Sequence, residues 1–259
     1  VPYSNCGRCS ACGCGRPNAC RENQTLGVQR DGALTERLVV PASKLLTSSA
    51  LDLRAMALVE PLAVGWHAGN RARVEAGTTV AVFGCGVVGL GAIACASSRG
   101  ARVVAVDVAA SKLELARSAG ASETIDSSRG GLHEALSGLT AGHGPEVCIE
   151  AAGLPETFRA CVEEVAFTGR VVCVGYTKRP VECETRLFVQ KELDIMGSRN
   201  ALAADFAGLL AYYESGAFPI EALITRTVPF AEAGAALAAW DREPGIVTKI
   251  LVEIQERTC

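Results

Sequence analysis

The chain has 259 residues, 49% of them hydrophobic and 20% charged, which is enough apolar material to bury one large core or two modest ones and excludes a disordered protein. Its formal net charge is -3, and its Lys and Arg residues are scattered, so it offers no basic field for a nucleic-acid backbone or an anionic lipid surface. The longest uncharged run, Val80 to Ser98, contains Gly84, Gly86, Gly89 and Gly91 and reads as strand, turn and helix, so no membrane span is expected; with no basic and apolar leader either, a cytoplasmic location is.

The first distinctive stretch is "NCGRCSACGCGRPNAC", residues 5–20, which holds five of the chain's 12 cysteines and almost nothing to build a core with. Cys6, Cys9, Cys12 and Cys20 are spaced C-x2-C-x2-C-x7-C, so a short loop can wrap and aim four thiolates at one centre, the closed tetrahedral set that structural zinc accepts. Gly7, Gly13 and Gly15 supply the turns. Cys85, Cys95, Cys148, Cys161 and Cys173 sit singly in apolar runs, as small buried hydrophobes of a reducing compartment do, which argues against a disulfide-bonded lobe. Spacing alone leaves open a ligand set with Cys14 in place of Cys12.

A short strand is expected at Leu38 to Val40, followed by an extended segment broken at Pro41. Glu60 precedes Pro61, and since proline favours the first helical position, a helix is expected to begin there with Glu60 at its N-cap. His67 reads as a packed helix residue rather than a ligand. From Thr78 the pattern alternates regularly. Strands are expected at Thr79–Phe83, Ala101–Val106, Thr124–Ile125, Val147–Ala151, Arg170–Val174 and Leu193–Met196, with helices at Val87–Ser98, Ser111–Ala119, Leu132–Leu139 and Pro155–Val165. Several of these strands are apolar at almost every position, which predicts an α/β fold, a parallel sheet with helices on both faces. Beyond Arg199 the reading is a helix at Ala203–Glu214, a turn at Gly216–Pro219, a helix at Ala231–Trp240 and a final strand at Val247–Val252. His133 and His143 receive no assignment.

"VAVFGCGVVGLGA" places Gly84, Gly86 and Gly89 as G-x-G-x-x-G between the first of these strands and its helix, the turn that lets a backbone approach a pyrophosphate. The next strand ends "VVAVD", and Asp107 lies 18 residues past Gly89, where a carboxylate can accept both ribose hydroxyls and repel a 2'-phosphate. Together they predict a Rossmann unit that binds NAD in preference to NADP.

With the four-cysteine lobe, the glycine turn and the linking "VEPLAVGWHA", the chain resembles the zinc-containing medium-chain alcohol dehydrogenases, above all the branch of sorbitol, threonine and sugar-acid (L-gulonate or galactonate type) dehydrogenases. The resemblance runs from "VPYSNCGRC" through "GSRNA" to "GIVTKILVE". It implies a doubly wound Rossmann domain over residues 61–198, a partial GroES-like, mainly β catalytic domain over 1–60 whose zinc lobe lies within 1–24, and a return to that domain over 199–259. It also implies hydride transfer between NAD and a secondary alcohol, a polyol or sugar acid, in a homodimer or homotetramer. By residue, it matches Cys6, Cys9, Cys12 and Cys20 to structural zinc, Asp107 and Lys112 to the adenosine ribose, and Val88 to the pyrophosphate. Val174, Gly175 and Tyr176 match the nicotinamide side, Arg199 an arginine facing substrate, and Glu60 an acidic position at or next to a catalytic zinc. In the family the other catalytic-zinc ligands precede the lobe, and here nothing precedes Val1. The expectation is therefore a chain lacking the first part of the catalytic domain and inactive by itself, with apolar surface exposed on residues 25–58 and after Arg199. A non-catalytic NAD- and zinc-binding fragment or sensing module is the competing reading.

Overall fold

Short strands on either side of the cysteine run pair with each other: β1 (Tyr3–Ser4) lies antiparallel to β2 (Gln24–Thr25) and closes the lobe around the single turn α1 (Ser10–Gly13). This computed structural model describes residues 1–242, 245 and 247–254. No strand forms at Leu38–Val40. Val39 is 99% exposed there and no neighbouring segment offers a ladder, so β-propensity has nothing to act on. Val28, Leu45 and Leu53 are likewise exposed, in line with the apolar surface expected over 25–58.

The helix expected to start at Pro61 starts eight residues earlier. α2 (Leu53–Arg71) is capped by Asp52, whose side chain accepts the Ala55 amide at 2.8 Å, and Pro61 sits inside it. Glu60 is therefore a mid-helix residue and not an N-cap. The proline removes one backbone donor, a loss that a long and well-buried helix outweighs. Position 60, the expected edge between the first two parts of the chain, falls in the middle of this helix.

Beyond α2 the chain builds a six-stranded parallel sheet in the order β5-β4-β3-β6-β7-β8. The strands are β3 (Thr79–Phe83), β4 (Arg102–Asp107), β5 (Glu123–Asp126), β6 (Val147–Glu150), β7 (Arg170–Cys173) and β8 (Asp194–Gly197). The helices between them are α3 (Val87–Ser98), α4 (Ala110–Ser118), α5 (Leu132–Leu139), α6 (Pro155–Glu164) and α7 (Thr185–Gln190), the last of which the sequence reading did not anticipate. The chain changes direction across the sheet between β3 and β6, so the loops after these two strands part and leave a crevice at their C-terminal ends, where open α/β sheets bind ligands. α8 (Ala203–Glu214), β9 (Arg226–Pro229), α9 (Ala233–Arg242) and β10 (Ile250–Glu253) complete the described chain, with β9 and β10 forming a separate parallel pair.

Glycines let α2 and α3 touch backbone to backbone. A Cβ on Gly65 would lie 1.8 Å from the Val88 carbonyl oxygen, and one on Gly91 would lie 2.1 Å from that of Leu62. On another face α2 packs against α8, where Trp66 and Tyr212 have ring centroids 5.5 Å apart. Between these helices lies a buried polar network. His67, 5% exposed, has Nδ1 2.7 Å from Asp205 Oδ2 and Nε2 3.0 Å from the side-chain amide of Asn18 in the lobe. That Asn18 amide also donates to the Arg199 carbonyl at 2.8 Å, while Asp205 accepts from Asn70 and from the Leu202 amide.

Two outcomes test this packing. Gly65→Ala should destabilise the fold by about 3 kcal/mol or more, because the methyl can be housed only by moving one helix backbone off the other, and denaturant midpoints would show it. Burial opposes ionisation of Asp205, yet hydrogen bonds from His67, Leu202 and Asn70 outweigh it and hold the carboxyl below its ordinary value. A depressed folded-state pKa contributes stability that is present above the unfolded value of about 4 and is lost as pH falls through the folded value. Asp205→Asn should therefore cost about 2 kcal/mol at neutral pH, with the gap to the parent closing below about pH 4 in pH-dependent unfolding.

Candidate functional site

The turn after β3 is shaped by its glycines. Gly84 has φ +91°, and a Cβ there would meet the Ala152 backbone at 2.8 Å; a Cβ on Gly89 would lie 1.9 Å from the Gly84 carbonyl oxygen. These two hold strand, turn and α3 together, whereas a Cβ on Gly86 would meet nothing within 4 Å. Gly86 is the N-cap of α3, so the open space above it faces first-turn amides that have no partner inside the helix. That is a cradle an added side chain would fill and a pyrophosphate fits.

Asp107 ends β4 beside this turn. Its Oδ2 accepts the Cys85 amide at 2.7 Å, and its Oδ1 accepts those of Val108 and Ala109 at 2.8 and 3.0 Å. The carboxylate thereby fastens the glycine turn to the end of the next strand while Oδ2, with a single amide donor, keeps a lone pair for a hydroxyl. Burial, then the charge of Asp107, pushes the Cys85 thiol well up, with Lys112 of α4 opposing. Val88 is half-buried in the first turn of α3.

Across the crevice the organising residue is Glu150, which the sequence reading missed. It ends β6 and is 1% exposed, and its Oε1 accepts the amides of Ala152 and Gly153 at 2.9 and 2.8 Å and the Thr157 hydroxyl at 2.7 Å. Its main-chain oxygen accepts from Val174 and Gly175, so the segment Val174 to Tyr176 is held against β6. A Cβ on Gly175 would lie 2.3 Å from the Gly153 nitrogen, and Tyr176 projects outward, 89% exposed. The available signal was a carboxylate closing an otherwise apolar strand, in "VCIEAAG".

In the lobe, the sulfurs of Cys6, Cys9, Cys12 and Cys20 all lie within 4.8 Å of one another. Cys9 is 3.6 Å from Cys12 and 3.8 Å from Cys20, and Cys20 is 3.6 Å from Cys6. Sulfurs bonded to one tetrahedral zinc at about 2.3 Å stand about 3.8 Å apart, whereas a disulfide needs about 2.05 Å. The donor set fits zinc and no pair is bridged. Cys14 points elsewhere, its thiol on the Ala11 carbonyl at 3.4 Å, so the geometry favours Cys12 over it. Backbone amides of Arg21 and Cys12 hold the Cys9 thiol down at about 6, and amides of Arg8 and Cys9 lower that of Cys6. Desolvation and its thiol neighbours push Cys12 to about 12. Four thiolates this close repel one another, a repulsion that a bound cation would offset.

Glu60 and Arg199 lie apart from the glycine turn in their contacts. Glu60 accepts the Tyr3 hydroxyl at 2.6 Å, and the Tyr3 phenol is pushed upward by burial and by that carboxylate. Among the described residues the four cysteines are the one converging group of three or more His, Cys, Asp or Glu donors, and Glu60 belongs to no such group. The Arg199 guanidinium donates to the Cys20 carbonyl at 3.4 Å, which sets it against the lobe.

The sequence pattern of the family described as zinc-binding dehydrogenase matches residues 87–215. The L-galactonate-5-dehydrogenase of Escherichia coli K12 is 34% identical over 231 residues, covering 89% of this chain and 68% of that protein. The sorbitol dehydrogenase of Halalkalibacterium halodurans is 29% identical, over 93% of this chain and 69% of its own. Among solved structures, a short chain alcohol dehydrogenase from Escherichia coli CFT073 complexed with NADH superposes with a TM-score of 0.89 at 28% identity, covering 97% of this chain and 74% of that one. A zinc-binding dehydrogenase from Sinorhizobium meliloti bound to NADP gives 0.87 at 31%, covering 98% and 75%. With its glycine turn, its parallel sheet and these relatives, the chain belongs to the zinc-binding dehydrogenase family.

Proposed function

We propose that the chain binds NAD in the crevice between β3 and β6 and zinc in its cysteine lobe, in the service of hydride transfer between NAD and a secondary alcohol of a polyol or sugar acid. The observation that carries this reading is the bond from the Cys85 amide to Asp107, which joins the open glycine turn to a carboxylate placed for ribose hydroxyls. When bound, NAD supplies the hydride acceptor. The chain's own residues orient it: α3 amides toward the pyrophosphate, Asp107 and Lys112 toward the adenosine ribose, and Glu150, through its hold on Val174 and Gly175, the wall beside the nicotinamide.

Relatives named for galactonate and sorbitol support the substrate class, and Arg199 offers the bidentate donor that vicinal or anionic oxygens favour. The zinc would brace the lobe and so the Asn18 and Arg199 contacts that seat it. Glu60 remains the carboxylate we assign to the neighbourhood of a catalytic metal. The edge strand β8 would pair two copies into a dimer, since Ile195 and an unpaired row of backbone groups otherwise face water. Buried free thiols at Cys85, Cys95, Cys148 and Cys161 suit a reducing compartment such as the cytoplasm.

Glu60, bonded to Tyr3 and part of no group of three metal donors among the described residues, favours a second reading, a chain that binds NAD and zinc without turning over. Metal analysis and an NADH-formation assay on one preparation separate the two. One zinc per chain, lost in Cys12→Ser but kept in Cys14→Ser, is expected in either case; NADH formed with polyols or sugar acids supports the dehydrogenase, and tight NAD binding without NADH supports the other. NAD should bind at least about tenfold more tightly than NADP, because the 2'-phosphate would meet the Asp107 carboxylate. Asp107→Ser should narrow that ratio in fluorescence titrations with the two reduced cofactors, and equal affinities in the parent chain would contradict the assignment.

A further inference from the structure

Away from the crevice, a cavity of about 670 Å³ opens where the lobe, the end of α2, β8 and the start of α8 meet. Three arginines line it: Arg16 from the lobe, Arg71 at the end of α2 and Arg73 just past it. Their charges are unevenly answered. Arg73 is paired with Asp194 at 2.5 Å, but among the described residues neither Arg16 nor Arg71 has a carboxylate within 4.0 Å, and Arg71 makes one long bond, to the Gly197 carbonyl at 3.4 Å. The carboxylate on the floor, Asp205, is already committed to His67, Asn70 and the Leu202 amide.

The negative end of α2 does not account for these arginines. The carbonyls just past its last residue, those of Ala72 and Arg73, accept from a fourth arginine, Arg170, at 2.8 and 3.0 Å. Arg71 is held below its ordinary pKa, first by burial and then by the charges of Arg16 and Arg73, so the three cations repel one another across the space they enclose. Such repulsion is relieved by an anion between them, and planar guanidinium forks match a tetrahedral oxyanion.

We propose that this cavity is a binding site for a small phosphate-bearing metabolite, held by Arg16 and Arg71 with Arg73 at its edge. The site is independent of the dinucleotide reading, since it shares no residue with the glycine turn, Asp107 or Glu150. The volume admits a phosphorylated molecule larger than the phosphate itself. Occupancy would join the lobe to α2 beside the Asn18 to His67 contact, so the ligand would stiffen the attachment of the lobe.

The test is calorimetric titration of the full chain, loaded with zinc, with inorganic orthophosphate and pyrophosphate, repeated at raised chloride. Saturable binding that is tighter for pyrophosphate and weakens with ionic strength is expected. Arg16→Gln and Arg71→Gln should each weaken it by about tenfold, and the double variant by about a hundredfold, with unchanged thermal unfolding in the absence of anion because both side chains reach solvent. Pyrophosphate could also settle on the glycine turn, so Gly86→Val, which fills that cradle, is titrated in parallel. Binding that persists in Gly86→Val and fails in the arginine variants supports the proposal. Binding that survives the double arginine variant, or that disappears only in Gly86→Val, or no saturable binding by the parent chain, overturns it.

Discussion

Much of the molecule depends on two helices whose backbones meet without side chains between them. Gly65 and Gly91 bring α2 against α3 so tightly that a single methyl on either would overlap a carbonyl oxygen of the other helix. α3 carries the turn that opens toward a pyrophosphate, and α2 carries Glu60, His67, Asn70 and Arg71 along the following turns. One fixed contact therefore sets the distance between the dinucleotide crevice and everything the other helix presents. The tolerance is small because neither partner can yield without withdrawing a whole helix from the core.

From that shaft the remaining parts are fastened by polar contacts rather than by area. The lobe buries few apolar groups of its own and is seated through Asn18, while Arg199 and Asn200 bind back onto the carbonyls of Cys20 and Asn18. Glu150 does the corresponding work in the crevice, its buried carboxylate tying β6 to the start of α6 and its main-chain oxygen tying β6 to the segment after β7. Such fastenings fix direction better than hydrophobic burial, because a missing partner leaves a buried charge or amide unsatisfied.

The parallel sheet was legible because its central strands are buried on both faces and so announce themselves as apolar runs, and because Gly84, Gly86 and Gly89 stand where a strand becomes a helix. The cysteine lobe was legible by spacing, and the geometry then chose Cys12, where spacing alone could not. α2 was half read: Pro61 looks like a first helical residue, and the true start at Asp52 rests on one side-chain bond to Ala55 that composition does not advertise. Residues 38–40 have strand-forming side chains but no partner strand, a fact about the whole fold that no local window contains. Glu150 was passed over because its neighbours are apolar, which is the reason its hydrogen bonds matter.

The buried ring of His67 has a chemical consequence of its own. The Asn18 amide nitrogen must point toward the Arg199 carbonyl, since its oxygen there would face another oxygen, and the same nitrogen therefore offers a hydrogen to Nε2. Nε2 can only answer with a lone pair, which leaves the ring proton on Nδ1, aimed at Asp205. The imidazole is thus held in one orientation, acceptor toward the lobe and donor toward α8. The lobe is therefore seated on a ring whose two edges are not interchangeable: turned over, it would set a donor against the Asn18 amide and a bare lone pair against the Asp205 carboxylate.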